Sequence, residues 1–294
     1  MTGPFAGAPP ERLARVRALV GAFAVVYVLV RVRYFADLSR HGASDFAPVG
    51  VARVLSAPLP PWTTTCAALV ALVLGVLFVA GRRMRVVAPA FFLAMLWVTT
   101  YRSSFGKILH TENLLVLHLF VLAVSELLPP LRGPRAAIRH AGWTLGTMAT
   151  VTACVYLVAG VAKLRFGGAG WTSGASLGDW LAWDSVRKIE LGSVHSPLAA
   201  HVASSPGLLR AGALATLCVE IGAPLALLGP RAARAWAFAA FAFHAAVLVT
   251  MAIAFVYPLS LVAFAPAFAL ERVRRWPRAL GGAASFASER DAEG

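Results

Sequence analysis

Charged side chains are scarce in this sequence: they make up 14% of its 294 residues, whereas hydrophobic side chains make up 59%. In soluble domains about a quarter of the residues are charged, so this composition excludes an ordinary soluble fold. The deficit comes from long stretches with few or no charged residues, which approach the length of membrane-spanning helices. These stretches lie at 16–35, 62–81, 86–101, 112–128, 142–162, 208–229 and 232–270. The sequence therefore predicts an all-α, polytopic transmembrane helix bundle in a lipid bilayer.

Acidic residues are the rarer charged class, with 13 against 27 basic residues and a net charge of +14. In a soluble protein such an excess would favour nucleic-acid binding. Here most of the basic residues lie in short connections between apolar stretches, where Lys and Arg set the orientation of a membrane protein. We therefore expect no nucleic-acid partner.

The apolar stretches also give a number of crossings. A bilayer core of about 30 Å needs about 20 helical residues, and seven stretches fit this length. The stretch 232–270 is long enough for two crossings, with Pro258 as its break signal, so we predict about eight spanning helices. With eight crossings, sixteen of the 27 basic residues lie on the same side of the membrane as the N-terminus. This predicts a bacterial-type cell membrane protein with both termini cytoplasmic, 1–15 being an N-terminal segment and 271–294 a polar tail.

Two connections on the other side of the membrane are longer than the rest. Residues 36–61 are rich in proline and predict a structured loop. Residues 164–207 contain three closely spaced indoles, Trp171, Trp180 and Trp183. Aromatic side chains are typical of the membrane surface, so we expect a surface-lying or re-entrant helical segment there rather than a free loop.

Several common chemical motifs are absent. The sequence has no phosphate-cradling glycine loop, which excludes ATP-driven transport of the usual kind. His110 and His118 are spaced too far apart on a helix to bind one ion, and no metal is predicted. Cys66, Cys154 and Cys218 lie in three different apolar stretches without a Cys-x-x-Cys pair. We interpret them as small core residues.

Polar side chains inside the apolar stretches are the strongest functional signal. A charged group at the bilayer centre costs about 2.5–3.5 kcal/mol on insertion scales, so such residues are usually paired or functional. His110 and Asn113 lie about 60° apart on a helix and are expected to line one cavity. Lys163, Glu220 and His244 follow on three later stretches.

Each of these last three residues allows two interpretations. Lys163 either extends its ammonium to the outer headgroups or is a desolvated amine that acts as a base. Glu220 and His244 lie on consecutive predicted helices, so they either line a functional site or pair with each other without any chemistry.

Two consecutive segments resemble a known family. The segment from Tyr156 to Leu164 reads Tyr-Leu-Val-Ala-Gly-Val-Ala-Lys-Leu, and Gly170-Trp171-Thr-Ser-Gly174 follows it. Together they resemble the Ala-Gly-x-x-Lys-Leu and Trp-x-x-Gly segment of the horizontally transferred transmembrane (HTTM) family. The best-known members of that family are the vitamin K-dependent gamma-glutamyl carboxylases.

The resemblance covers residues 16–270 and implies an HTTM-like transmembrane domain there. It also implies a carboxylase- or epoxidase-like activity with a reduced isoprenoid quinone, menaquinol or vitamin K-like, as cofactor between the helices. Lys163 matches the lysine that deprotonates this cofactor in the carboxylases. The further residues that would hold the quinone are His110, Asn113, Trp171, Glu220 and His244.

The sequence also departs from the carboxylases. Those enzymes continue into a large extracytoplasmic domain, whereas 24 residues follow Leu270 here, and they have a His directly after the Asn, where this chain has Leu114. We therefore do not expect peptide carboxylation. The alternative hypothesis is a non-enzymatic membrane protein that binds lipid or an unidentified protein partner on the same scaffold. A transporter is a third possibility, which no inverted repeat supports.

Overall fold

The computed structural model describes residues 3–38, 40–106, 110–129, 132–133 and 135–273. Over these residues the chain forms twelve α-helices joined by short 3₁₀ turns, and no β-strand, which confirms the all-α prediction. The helices are α1 (Pro10–Leu29), α2 (Val32–Leu38), α3 (Pro61–Val79), α4 (Met84–Arg102), α5 (Asn113–Leu127), α6 (Ala136–Gly167), α7 (Ala169–Ser173), α8 (Ala175–Glu190), α9 (Leu198–Ala203), α10 (Pro206–Ile221), α11 (Pro230–Met251) and α12 (Val256–Leu259). Most of the predicted polar tail, 274–294, lies outside the described residues.

The chain divides into two units. The N-terminal unit comprises Phe5–Met148 with Ala269–Gly294, and the C-terminal unit comprises Ala149–Phe268 with Met1–Pro4. The division falls inside α6, and each unit has its own helix packing.

The N-terminal unit is a row of packed helices. Helix α1 packs on α3, α3 packs on α4, and α4 packs on α5. Phe78 and Phe91 meet at the α3–α4 contact, where their ring centroids are 5.3 Å apart and both side chains are fully buried. Within the predicted structured loop 36–61, Ala43–Asp45 and Gly50–Val54 form 3₁₀ helices.

The C-terminal unit packs the helices of one long connection against α10 and α11. Helices α7, α8 and α9 form most of the 164–207 connection and pack on α10 and α11. Trp171 of α7 is buried against Ala213 and Leu217 of α10. The connection is therefore helical, as the clustered indoles led us to expect.

Fewer helices can cross a membrane than the sequence predicts. Among the described residues, α3, α4, α6 and α11 are long and apolar enough for a span. The pair α1 and α2, bent by 55°, adds a fifth if it is counted as one span. The prediction of about eight spanning helices is therefore not supported, although four to five apolar helices fit an integral membrane protein.

There are fewer candidate spans than predicted because several helices end within stretches whose composition stays apolar. Helix α5 has 15 residues, about 22 Å at 1.5 Å per residue, which is shorter than the hydrocarbon core. The stretch 208–229 changes from α-helix to a 3₁₀ helix after Gly222. In 232–270 only α11 is long, because the chain leaves the α-helix at Ala252, whose φ is 50°.

The cysteines differ from their predicted placement. Cys66, Cys154 and Cys218 are free thiols and all three are exposed, so the interpretation as core residues is wrong. The outer face of a membrane helix meets lipid and is itself apolar. A small apolar side chain in such a helix therefore need not lie in the protein interior.

Gly174, between α7 and α8, occupies a position where a side chain is doubly unfavourable. Its φ is +91°, and a Cβ would lie 2.6 Å from the backbone of both Leu209 and Arg210. We expect Gly174→Ala to destabilise the protein by about 2–4 kcal/mol, from left-handed strain and backbone displacement. Thermal unfolding in detergent measures this. Gly207→Ala in α10, where a Cβ meets nothing within 4 Å, is the matched control, and an equal loss in both variants would contradict the explanation.

Two charged residues of helix α8 point toward the protein interior. Asp184 and Lys188 are buried, and Asp184 forms ion pairs with Arg187 at 2.8 Å and with Lys188 at 2.7 Å. Burial alone would raise the pKa of Asp184, but the hydrogen bonds and charges of Lys188 and Arg187 outweigh it and hold that pKa below its usual range. The ionised carboxylate is therefore the form that stabilises this helix.

This lowered pKa gives a pH dependence. The contribution of Asp184 to stability is present above its unfolded pKa of about 4 and is lost as the pH falls through the lower folded value. We expect Asp184→Asn to lower the unfolding midpoint at pH 7 and to differ less from the wild type once the pH is below about 4. Thermal unfolding of both proteins over this pH range measures the effect. Asp179→Asn, on the exposed side of α8, should show no comparable pH-dependent difference.

Candidate functional site

The central residues of the candidate site lie along one face of α6. Tyr156, Gly160 and Lys163 are spaced four and three residues apart, which places them on the same side of the helix. A Cβ on Gly160 would lie 2.9 Å from Cβ of Glu220 and 2.8 Å from the side chain of Ile221. The absence of a side chain at Gly160 therefore lets α10 approach α6 at the level of Glu220.

Lys163 and Glu220 form a salt bridge across this close contact. Lys163 Nζ lies 2.6 Å from Glu220 Oε1 and donates a hydrogen bond to it. The Glu220 side chain is 5% exposed and that of Lys163 is 24% exposed. The other carboxylate oxygen, Oε2, is buried and has no hydrogen-bond partner among the described residues. Glu220 therefore keeps acceptor capacity beside a paired ammonium.

Trp171 flanks the amine. Lys163 Nζ lies 5.4 Å from the centroid of its ring, within the range of a cation–π contact. The indole is itself buried in the cluster between α7 and α10, so it is held in position by apolar packing. The lysine of the motif thus has a carboxylate and an aromatic ring as its neighbours.

Tyr156 and His244 form a second polar pair one turn away from Gly160. Tyr156 Oη lies 2.7 Å from His244 Nε2, and both side chains are buried. His244 Nδ1 has no hydrogen-bond partner in the part of the chain that the structure describes. Aromatic rings surround the pair, with Trp236 4.9 Å from Tyr156 and Phe255 4.8 Å from His244.

Trp236 also fixes the two helices that carry these groups. Its indole Nε1 donates a hydrogen bond of 2.9 Å to the carbonyl oxygen of Val219, the residue before Glu220. This bond links α11 to α10 one residue before Glu220. The close contact at Gly160 and the bond from Trp236 therefore both fix α10 next to Glu220.

The structure brings together three of the six residues that sequence predicted for the site, since Lys163 contacts both Trp171 and Glu220. His244 lies in the same unit but contacts Tyr156. The contact between Glu220 and His244 that sequence allowed is replaced by two others, since Glu220 pairs with Lys163 and His244 with Tyr156.

The remaining two predicted residues lie in the N-terminal unit. His110 and Asn113 are both exposed and belong to one turn, in which the amide nitrogen of Asn113 donates to the carbonyl oxygen of His110 at 3.2 Å. Their role in a quinone site stays a prediction. Glu112, between them, is the buried residue of this turn.

Glu112 belongs to a polar cluster that sequence reasoning missed. Arg102 at the end of α4 donates hydrogen bonds to Glu112 Oε1 at 2.8 Å and to Tyr27 Oη at 2.6 Å, and Thr111 Oγ1 donates to Glu112 Oε2. We call these four residues the Arg102 cluster. It connects α1, α4 and the turn before α5. Its only sequence signal is a pair of opposite charges at the ends of two apolar stretches.

Tyr156 was also missed as a site residue. The signal that could have found it is its spacing from Lys163, because positions seven apart on a helix lie on one face. Across the described ranges, no group of three or more His, Cys, Asp and Glu side chains is placed to hold a metal ion.

Comparison with known proteins does not assign the chain. No protein-family model matches it, and neither a curated protein nor a solved structure matches it significantly. The resemblance to the HTTM family therefore stays a prediction based on its residues.

Proposed function

We propose that the chain is an integral membrane protein whose C-terminal unit binds a quinol-type ligand, a reduced isoprenoid quinone, at the Lys163–Glu220 pair. The observation that carries the proposal is the buried salt bridge with the unpartnered oxygen Glu220 Oε2. A buried acceptor without a partner costs about 1–3 kcal/mol. A hydroxyl group entering the site would remove this cost by donating to it.

The chemistry of the pair suits a phenolic hydroxyl. Moving one proton along the 2.6 Å bond between Lys163 and Glu220 interconverts a charged pair and a neutral pair. In the charged pair the Glu220 carboxylate can accept the ligand's proton, and in the neutral pair the Lys163 amine can accept it. The partner residue stabilises whichever of the two accepts the proton. The ring of Trp171 offers an aromatic surface for a quinol ring.

The proposed residues have different tasks. Lys163 is the proposed base, as the resemblance implies, and Glu220 is the hydrogen-bond acceptor that completes the pair. Tyr156 and His244 support the site as a second polar pair on the same face of α6. The sequence-based assignment of a carboxylase- or epoxidase-like reaction is a further step that this geometry does not require.

Quantifying the quinone bound to the purified protein tests the proposal. We expect about one quinone per chain in lipid extracts of the wild type, and binding of menaquinol weakened at least about tenfold in Lys163→Met and Glu220→Gln, from a lost charge-assisted hydrogen bond. Titration in lipid nanodiscs, followed by tryptophan fluorescence, measures this affinity. Arg165→Met, an exposed cation two residues from Lys163, is the matched control. Unchanged affinity in both site variants would overturn the proposal.

A second candidate is a non-enzymatic scaffold that binds lipid or a protein partner. It is favoured by the mutual neutralisation of Lys163 and Glu220, since a salt bridge between α6 and α10 can fasten two helices without a ligand. Under this hypothesis Glu220→Gln lowers thermal stability, but the purified wild type contains no quinone and binds none in nanodiscs.

The membrane orientation belongs to the proposal as well. We place both termini in the cytoplasm of a bacterial-type cell membrane. The support is the basic-residue count for the eight crossings predicted from sequence, which puts sixteen of the 27 basic residues on the side of the N-terminus. The four to five candidate spans of the structure do not support that number of crossings.

A further inference from the structure

The outer face of α8 carries apolar side chains that no other part of the described structure covers. Trp180, Trp183, Val186 and Ile189 are each between 54% and 58% exposed. Two charged residues of the same helix, Asp184 and Lys188, are buried on the opposite side, whereas Asp179 and Glu190 are exposed. Helix α8 therefore exposes four large apolar side chains together with two carboxylates.

The inner side of α8 is fastened to the end of a membrane-spanning helix. Lys188 Nζ donates a hydrogen bond to the carbonyl oxygen of Met251, the last residue of α11. Just after α8, Ser196 Oγ donates to the carbonyl oxygen of Val249 at 2.5 Å. Both bonds satisfy carbonyl groups that the final turn of a helix leaves free.

This attachment sets the level of α8 relative to a bilayer. Helix α11 has 22 residues, about 33 Å at 1.5 Å per residue, which matches the thickness of the hydrocarbon core. Its ends therefore lie near the two membrane surfaces. Because Lys188 reaches the last carbonyl of α11, the C-terminal end of α8 lies at one of these surfaces.

The exposed residues of α8 include the type that is typical of a membrane surface. Trp is enriched at membrane surfaces, where its ring meets acyl chains and its N–H meets headgroups. The indoles of Trp180 and Trp183 contact each other edge-on, with centroids 5.7 Å apart, and the guanidinium of Arg187 lies 5.3 Å from the ring of Trp183. An amphipathic helix with such residues inserts about 5–10 Å into the boundary between headgroups and acyl chains.

We propose that α8 is an interfacial helix whose outer face, Trp180, Trp183, Val186 and Ile189, binds the phospholipids of the bilayer that α11 crosses. The occupant of this face is lipid because the face continues from the end of a membrane span. The proposal is independent of the quinol site.

Quenching of tryptophan fluorescence by brominated phosphatidylcholine tests the proposal. The protein is reconstituted into vesicles with bromine either near the headgroup or near the chain ends. The difference between the wild type and Trp180→Phe/Trp183→Phe isolates the emission of the two indoles. We expect this emission to be quenched about twofold or more by the shallow bromines relative to the deep ones. Trp236→Phe, which removes an indole packed between Tyr156 and Phe264, is the control, and its emission component should not favour the shallow bromines.

Three outcomes would overturn the proposal. Quenching by aqueous acrylamide but by neither lipid would place the indoles in water. Stronger quenching by the deep bromines would place them in the bilayer core. Protection from all three quenchers, together with a cross-linked dimer, would show that a second copy of the chain covers the face.

Discussion

Lys163→Met is expected to lower the free energy of unfolding by about 3 kcal/mol. We take this value because it lies in both relevant ranges: about 3–5 kcal/mol for breaking a buried ion pair and about 2.5–3.5 kcal/mol for a lone charge in a membrane helix. The variant leaves the Glu220 carboxylate, 5% exposed, without a cation and with both oxygens unpaired. Titration of the detergent-solubilised protein with sodium dodecyl sulfate, followed by circular dichroism, measures the loss.

The two members of the pair are not equivalent. Glu220→Gln should cost less than Lys163→Met, because the lysine side chain is 24% exposed and can move its ammonium toward a more polar region. Glutamine can also still accept a hydrogen bond from the amine. Glu220→Gln is therefore the better variant for the ligand experiment, since loss of binding in a stable protein cannot be attributed to unfolding.

A double variant separates pairing from packing. Lys163→Met/Glu220→Leu buries no charge, so it should be more stable than Lys163→Met alone. If the double variant instead loses the sum of the losses of Lys163→Met and Glu220→Leu, the two residues are not coupled. That result would contradict both the structural role of the pair and the site built on it.

The face of α6 was predictable from sequence, but its partners were not. The spacing of Lys163 and Gly160 defines one side of a helix whatever the rest of the chain does. Whether Glu220 then meets Lys163 or His244 depends on how α10 is rotated and how closely it approaches. The close approach at Gly160 and the bond from Trp236 to Val219 determine this, and both are contacts between distant parts of the sequence.

Helix ends were also poorly predicted, for a related reason. Apolar composition is the same on both sides of Gly222 or Ala252, so hydropathy does not detect a change of backbone conformation there. The predicted number of about eight crossings is therefore not supported by the helices of the described residues. The helical nature of 164–207 was predicted correctly because its closely spaced indoles are a local feature of the sequence.

Arg102→Met is the second variant with a large expected effect, a loss of about 3–5 kcal/mol, as for other buried ion pairs that lose one partner. The Arg102 and Glu112 side chains are 14% and 7% exposed. The variant removes the hydrogen bonds of one guanidinium to both Glu112 and Tyr27. It therefore detaches α1 and the turn before α5 from the end of α4 at once. Thermal unfolding in detergent measures the loss.

Two comparisons identify the cause of the effect. Arg102→Lys keeps the charge but lacks the planar fork that reaches two acceptors, so its stability should lie between those of the wild type and Arg102→Met. Arg40→Met breaks an ion pair with Asp37 whose side chains are 75% and 58% exposed, and this should cost less than about 1 kcal/mol. Salt should weaken the exposed pair and leave the Arg102 cluster nearly unchanged, because buried charges are screened much less. If Arg102→Met were as stable as Arg40→Met, the cluster would not fasten these helices, and the stability of the N-terminal unit would come from the apolar contacts of α1, α3, α4 and α5.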